Sequence, residues 1–157
     1  MYKLEVFFDY ACPFCQRGHE YLKELHPFYQ QIEIVWCPFE AHPRPDRYGP
    51  HSDLCIQGMF FALDHGVDIW AYHDRMFKAA LKDRVDIEDI NVLASSVRGL
   101  LNTDAFRKSL QNGKSVLHFD LLQLSENHRN FKPFALIIGT DKHQTNISME
   151  VLNLIFK

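Results

Sequence analysis

Two cysteines three positions apart directly follow the first hydrophobic run of the chain. The run Leu4–Phe8 is rich in residues that favour a buried strand, and Cys12 and Cys15 come soon after it. Pro13 suits the first position of a helix, where its missing N–H leaves no hydrogen bond unmade. Residues one turn apart lie on the same side of a helix, so the two thiols can close into a disulfide. The pattern therefore predicts a strand, a tight connection and a helix that begins with a dithiol.

The residues after the dithiol predict a β-α-β unit. The helix should run from Pro13 to about His26 and stop before Pro27, because the residue before a proline disfavours the helical conformation. Ile32–Trp36 then reads as a second strand. Such a unit implies a parallel pair of strands joined by a right-handed crossover.

The middle of the chain predicts helices, and the end predicts strands again. A proline-rich loop, Pro38–Pro50, separates the β-α-β unit from a helical region. The predicted helices are Ser52–Asp64, one from Asp68, one from Asp86, Thr103–Asn112 and about Lys114–Asn127. A strand at Phe134–Ile138, a weak edge strand near His143–Asn146 and a helix at Met149–Phe156 complete the chain. This order predicts an α/β fold with helices inserted between its two halves.

Charge and hydropathy exclude several classes of protein. The 157 residues carry a net charge of −3, so no broad basic surface points to nucleic acid or to an acidic membrane. No segment approaches the ~20 apolar residues of a membrane span. The first residues lack the apolar stretch of a secretory signal, and we therefore expect a cytoplasmic protein. In that reducing compartment disulfides are usually transient and catalytic or sensing.

Three segments resemble the DsbA-like oxidoreductases of the thioredoxin superfamily, and most closely their FrnE-like branch. They are Asp9–Cys15, Trp36–Glu40 at the end of the second strand, and Pro133-Phe134 before the late strand. The resemblance implies a thioredoxin-like fold, β-α-β followed by β-β-α, with an inserted helical domain. We expect 1–50 and 129–157 to form the two halves of the thioredoxin-like domain, and 51–128 to form the insertion.

The resemblance also implies roles for individual residues. Cys12 would be the exposed nucleophile and Cys15 the buried resolving thiol. Pro133 would be a cis-proline facing them, and the substrate would contact Pro133, Phe14 and Lys132. The family usually carries a small apolar pair before that proline, whereas this chain has Phe131-Lys132, so its substrate preference should differ. The buried acid found beneath the cysteines of many relatives falls here on Val6.

Thiol–disulfide exchange explains the cysteine pair without a metal or an organic cofactor. A thiolate attacks a disulfide sulfur and passes through a mixed disulfide, so the partner is a protein disulfide or a low-molecular-weight thiol. Phe14 offers the thiolate neither a charge nor a side-chain donor, which predicts a site less oxidising than one with histidine there. A zinc site would need a second close pair of ligands, and Cys37 and Cys55 are too far apart to supply it.

Several residues admit more than one interpretation. Cys37 and Cys55 are either buried free thiols, which we favour, or a second disulfide or peroxide-sensitive pair. Glu5 or Asp9 could accept a proton near the thiols, although Asp9 could simply shape the loop. Other candidates are surface or groove histidines and core or groove aromatics: His42, His51 and His65, and Trp36, Phe39, Trp70, Tyr72 and Phe77.

Two other functions remain as alternatives to exchange. Glutathione transferases of the kappa class and 2-hydroxychromene-2-carboxylate isomerases share the architecture, but they typically carry serine where this chain has Cys12. A non-catalytic chaperone module that binds through the inserted helices is the other. An activity that requires Cys15 would favour exchange over the glutathione-dependent enzymes. Chaperone (holdase) activity that survives the loss of Cys12 would favour the chaperone module.

Overall fold

A four-stranded sheet with helices on its connections forms the framework of the molecule. The computed structural model describes residues 2–28, 30–42, 45, 49–113, 135–140 and 143–147. The strands are β1 (Tyr2–Phe8), β2 (Ile32–Pro38), β3 (Ala135–Thr140) and β4 (His143–Ile147). The α-helices are α1 (Pro13–Leu25), α2 (Asp53–Asp64), α3 (Ile69–Phe77), α4 (Ile90–Ser96) and α5 (Thr103–Asn112).

The sheet has the order β2-β1-β3-β4, with β1 and β3 at its centre. β1 pairs in parallel with β2, so that Val6 lies opposite Trp36, and it pairs antiparallel with β3. β3 and β4 form an antiparallel pair. This is the predicted α/β fold of the thioredoxin type: β-α-β comes first, two further strands come last, and helices are inserted between them.

The alternation of side chains along β1 decides which face of the sheet carries the main core. Leu4, Val6 and Phe8 are buried in the large hydrophobic cluster, whereas Phe7 belongs to a second cluster with Cys37. Successive side chains of a strand point to opposite faces, so the two clusters lie on opposite sides of the sheet. The N-terminal strand thus places the cysteine loop above the larger core.

α1 begins and ends close to the predicted residues. Pro13 occupies its first turn, and its buried face is made of Cys15, Gly18, His19 and Leu22 at helical spacing. The helix ends at Leu25, and the chain then tightens into a single 3₁₀ turn, His26–Phe28, that includes Pro27. The α-helix therefore stops before the proline, as predicted.

The inserted helices pack around a glycine. Gly58 of α2 is buried against the Tyr72 hydroxyl of α3 and the ring of Phe106 of α5. The Tyr72 hydroxyl also donates a hydrogen bond of 2.7 Å to the carbonyl oxygen of Cys55. α3 continues into a π-helical turn at Lys78–Lys82.

The start of α4 differs from the prediction. We expected a helix from Asp86, but α4 begins at Ile90, where the Asp89 carboxylate accepts from the backbone N–H groups of Asn91 and Val92. The Asp86 carboxylate instead accepts from the N–H of Glu88 in the preceding turn. Both aspartates can cap a backbone N–H two residues on, and local sequence does not choose between them.

The predicted helices at Lys114–Asn127 and Met149–Phe156 lie outside the described residues, and so does the domain boundary at 128/129. The division into 1–50, 51–128 and 129–157 therefore stays a prediction. Among the described helices, none combines the length and the apolar character that crossing a bilayer requires.

Candidate functional site

Cys12 and Cys15 lie at the start of α1, just beyond the end of β1. Cys12 is the residue that precedes the helix, with extended backbone angles, and its N–H donates 3.1 Å to the carbonyl oxygen of Asp9. Cys12 retains 9% of its surface exposed, whereas Cys15 is fully buried. The structure thus brings the two predicted thiols together, but both belong to the main hydrophobic cluster, so Cys12 is far less exposed than expected.

A hydrogen bond between the two sulfurs separates their pKa values. The Cys15 thiol donates to the Cys12 sulfur, and this is the largest cause that lowers the pKa of Cys12 to about 6. Burial opposes that shift, the backbone N–H groups of Cys15 and Phe14 add to it, and the charge of Asp9 weakly opposes it. The same hydrogen bond, together with burial, raises the pKa of Cys15 far above its ordinary value. Near neutral pH the pair therefore holds one thiolate, on Cys12, and one proton, on Cys15.

Asp9 fixes the loop that precedes the dithiol. Its carboxylate is almost fully buried and accepts three hydrogen bonds. The donors are Ala11 N–H (2.9 Å), Ala41 N–H (2.8 Å) and the Ser52 hydroxyl (2.7 Å). The backbone N–H of Asp9 in turn donates to Sγ of Cys15 at 3.4 Å. This geometry favours the loop-shaping interpretation of Asp9, while Glu5 lies near Cys37 rather than in this loop.

Of the three residues predicted to contact the substrate, only Phe14 lies among the described residues. Phe14 projects from the first turn of α1 with 63% of its surface exposed. The Arg17 guanidinium lies over its ring, with Cζ 4.8 Å from the ring centroid. Pro133 and Lys132 lie outside the described residues, so their roles stay predictions.

Cys37 and Cys55 are buried, and both are free thiols. Cys37 belongs to the small cluster with Phe7, and Cys55 to the main core on the other side of the sheet. Burial raises the pKa of Cys37 to about 12 and raises that of Cys55 as well. Neither thiol is therefore ionised near neutral pH, as the attacking sulfur in exchange must be.

The histidines near the proline-rich loop engage backbone carbonyls. Nδ1 of His51 donates to the carbonyl oxygen of His42 at 2.9 Å, and Nδ1 of exposed His65 donates to that of Phe61 at 2.8 Å. The five aromatics weighed as core or groove pack against hydrophobic clusters: Trp36, Trp70, Tyr72 and Phe77 in the main core, and Phe39 in the small one. Over the described ranges, no three histidine, cysteine or acidic side chains are grouped to hold a metal ion.

Sequence reasoning missed a polar cluster between α1 and α3 that includes two buried histidines. Nε2 of His19 donates 2.8 Å to Asp74, and Lys23 pairs with the same carboxylate. His73 is fully buried, and its Nδ1 shares a 2.9 Å hydrogen bond with the Tyr10 hydroxyl. The rings of His19 and His73 meet edge to face, with centroids 5.4 Å apart. Tyr10 and His73 are 63 positions apart, so no local spacing could have revealed the cluster.

The chain belongs to the DSBA-like thioredoxin domain family, whose pattern it matches over residues 3–120. The family and the fold are thus those of DsbA-like thiol–disulfide oxidoreductases. The FrnE-like branch within it stays a prediction.

Curated relatives resemble the chain at modest identity. The uncharacterized protein YwbO of Bacillus subtilis is 24% identical over 144 residues, with 69% of this chain and 71% of YwbO covered. The Na(+)/H(+) antiporter NhaA 1 of Mycobacterium sp. (strain KMS) is 32% identical over 111 residues, which cover 62% of this chain. That match spans only 18% of the antiporter.

Solved structures share the fold at low identity. A Nitrosomonas europaea protein proposed to be a protein disulfide isomerase aligns with a TM-score of 0.78 at 11% identity, covering 99% of this chain and 95% of its own. The cytosolic disulfide reductase DsbM from Pseudomonas aeruginosa aligns with a TM-score of 0.73 at 12% identity, covering 95% and 90%. BdbD from Bacillus subtilis aligns with a TM-score of 0.70 at 12% identity, and the match covers 99% of this chain and 85% of BdbD. DsbM has also been solved with GSH.

Proposed function

We propose that the protein exchanges its Cys12–Cys15 dithiol with the disulfides of proteins or of small thiols. The observation that carries the proposal is the placement of the two thiols one turn apart at the start of α1, where the pKa of Cys12 is lowered to about 6. A thiolate is the attacking species in exchange, and Cys12 is the described cysteine that is ionised near neutral pH.

The reaction has two steps. The Cys12 thiolate attacks one sulfur of a disulfide, which forms a Cys12–substrate disulfide and releases the other sulfur as a thiolate that takes a proton from water. Cys15 then attacks Sγ of Cys12 and forms the Cys12–Cys15 disulfide, while its proton goes to the departing substrate sulfur. The substrate gains two electrons, the protein loses two, and a low-molecular-weight thiol restores the dithiol by the reverse steps.

The substrate would pass over Phe14. This ring is exposed beside Cys12, and we assign it to substrate contact together with Pro133 and Lys132. Phe14→Ala should raise KM for a protein disulfide, and Phe28→Ala is its matched control, because Phe28 is also exposed but lies beyond the far end of α1. Equal KM values for the two variants would remove Phe14 from the proposal, and Pro133→Ala and Lys132→Ala extend the same assay.

A cytoplasmic location and a glutathione-class reductant belong to the same proposal. Support comes from DsbM, a structural neighbour that is described as a cytosolic disulfide reductase and was solved with GSH. Measuring the fraction of Cys12–Cys15 disulfide in cells by rapid acid quenching and alkylation tests the location. A pair that is fully oxidised in growing cells would contradict it.

Trapping tests the exchange itself. Cys15→Ser should accumulate a mixed disulfide at Cys12 with insulin or with cellular proteins that carry disulfides. Cys12→Ser should lose disulfide reduction by a factor of about 10³ or more, the scale on which removal of a nucleophile acts. Cys37→Ser is the matched control and should retain full activity. If Cys12→Ser stays active, or if Cys15→Ser turns over like the wild type, the exchange mechanism is wrong. Glutathione-dependent isomerisation that persists in Cys15→Ser would favour the isomerase alternative.

A further inference from the structure

The resolving step poses a physical problem that the attacking step does not. Cys15 is fully buried, and burial and its hydrogen bond to Cys12 both disfavour its thiolate. Yet Cys15 must become the nucleophile once Cys12 is bound to substrate. At that point Cys12 no longer carries a charge, and the proton of Cys15 leaves with the departing sulfur. A donor aimed at the Cys15 sulfur would stabilise the negative charge that develops there.

The structure supplies one such donor, the backbone N–H of Asp9. It points at Sγ of Cys15 from 3.4 Å, inside the protein and out of reach of bulk water. A buried N–H that faces a neutral thiol makes a weak bond, and the bond strengthens as the sulfur becomes an anion. The donor therefore contributes more to the transition state of the resolving step than to the resting dithiol.

The Asp9 side chain holds this N–H in place. Its carboxylate joins three segments: its own loop through Ala11, the chain after β2 through Ala41, and the residue before α2 through Ser52. A peptide fixed at this many points cannot rotate its N–H away from Cys15 without breaking buried hydrogen bonds. The negative charge itself works against the Cys15 thiolate, but the effect of the N–H on the Cys15 sulfur is the larger of the two.

We propose that Asp9 is a positioning residue for the resolving step: its anchored carboxylate keeps its backbone N–H aimed at the Cys15 sulfur, where it stabilises the thiolate that attacks Cys12. This inference rests on the exchange function proposed above. It gives a role to Asp9 that differs from proton transfer, since all three donors on the carboxylate come from the protein itself.

The two steps can be timed separately with an aromatic disulfide whose released thiolate is coloured. The first coloured thiolate reports the attack by Cys12, and the second reports resolution by Cys15. Asp9→Asn keeps the size of the side chain but turns an amide N–H₂ toward a donor, so the anchoring should weaken. We expect the first release to stay within about twofold of wild type and the second to slow by about three- to tenfold, the effect of losing one net hydrogen bond.

Two further variants sharpen the test. Ser52→Ala removes one anchor, leaves the charge of Asp9 in place, and should slow the second release by a smaller factor. Ser96→Ala is its matched control, because the Ser96 hydroxyl also donates one hydrogen bond, to the carbonyl oxygen of Val92 in α4. This variant should change neither phase. The pH at which the second phase reaches half its maximum should also rise in Asp9→Asn, which a general loss of stability would not produce.

Each outcome bears on one proposal. A second phase in Asp9→Asn that is as fast as wild type or faster overturns the positioning role, and it would show that the charge of Asp9 matters more than its anchoring. If Asp9→Asn does not fold, an unchanged second phase in Ser52→Ala overturns it instead. The loss of the first phase in the wild-type protein would defeat the exchange function itself, so the two failures are distinguishable.

Discussion

At the scale of single residues, one hydrogen bond divides the labour between two chemically identical thiols. The proton that Cys15 shares with Cys12 favours ionisation of the outer sulfur and disfavours that of the inner one. Burial alone would raise both pKa values, as it does at Cys37 and Cys55. Position at the start of α1 and the neighbouring thiol therefore make Cys12 different from the other cysteines of the described chain.

This division predicts how Cys12 responds to the loss of its neighbour. Alkylation of the wild-type dithiol should reach half its maximal rate near pH 6, because the pKa of Cys12 is lowered to about 6. Cys15→Ala removes the largest cause of that shift, so the midpoint should move up toward the ~8.5 of a free thiol. Cys15→Ser keeps a hydroxyl donor and should stay closer to the wild type. Superimposable profiles for the wild type and Cys15→Ala would contradict the assignment.

At the scale of elements, most boundaries follow from local rules, and the exceptions have identifiable causes. α5 occupies the predicted residues, and β3 and β4 lie within two residues of the predicted bounds. The predicted start of α4 at Asp86 was wrong, because Asp86 and Asp89 are equally good local caps. The hydrophobic periodicity of α2 did not predict the packing role of Gly58, because that role depends on the helices that pack against it.

Gly58 yields the prediction at this scale. Alanine is favoured over glycine by about 1 kcal/mol inside a helix, so Gly58→Ala would stabilise an isolated α2. In the protein, a Cβ there would lie 2.7 Å from the Phe106 ring and still closer to the Tyr72 hydroxyl. Overpacking of this kind costs about 1–3 kcal/mol, so we expect a net loss of stability. Denaturant unfolding checks it, with Gln111→Ala on the exposed side of α5 as the control. A stabilised Gly58→Ala variant would show that α3 and α5 can move away from α2.

At the scale of the whole molecule, the helix that carries the dithiol is joined to the inserted helices by buried imidazoles. His19 of α1 contacts His73 and Asp74 of α3, and His73 holds the hydroxyl of Tyr10 beside the cysteine loop. The sequence predicts that an insertion exists and roughly where it begins. It does not predict this junction, because the partners come together only when the chain is folded. The dithiol could be predicted from the sequence because its two cysteines lie close together in the chain, within one helical turn.

The same junction makes stability depend on acidity. Burial lowers the pKa of His73 well below 6.5, and it lowers that of His19 against the opposing pull of Asp74. When the pH falls below 6.5, histidines in the unfolded chain bind protons, whereas the buried imidazoles of the folded protein stay neutral. The free energy of unfolding therefore decreases.

The double variant Tyr10→Phe/His73→Phe isolates this effect, because it removes the buried imidazole together with the hydroxyl that would otherwise lose its partner. Unfolding in denaturant is measured at pH 7.5 and pH 5 on the Cys12–Cys15 disulfide form, where neither active-site thiol titrates. The double variant should lose less stability on acidification than the wild type. Tyr10→Phe is the matched control: it changes the same contact but keeps His73, so it should retain the acid sensitivity of the wild type. If the double variant and the control lose stability equally on acidification, His73 takes up its proton in the folded state, and the acid sensitivity of the α1–α3 junction must come from another group.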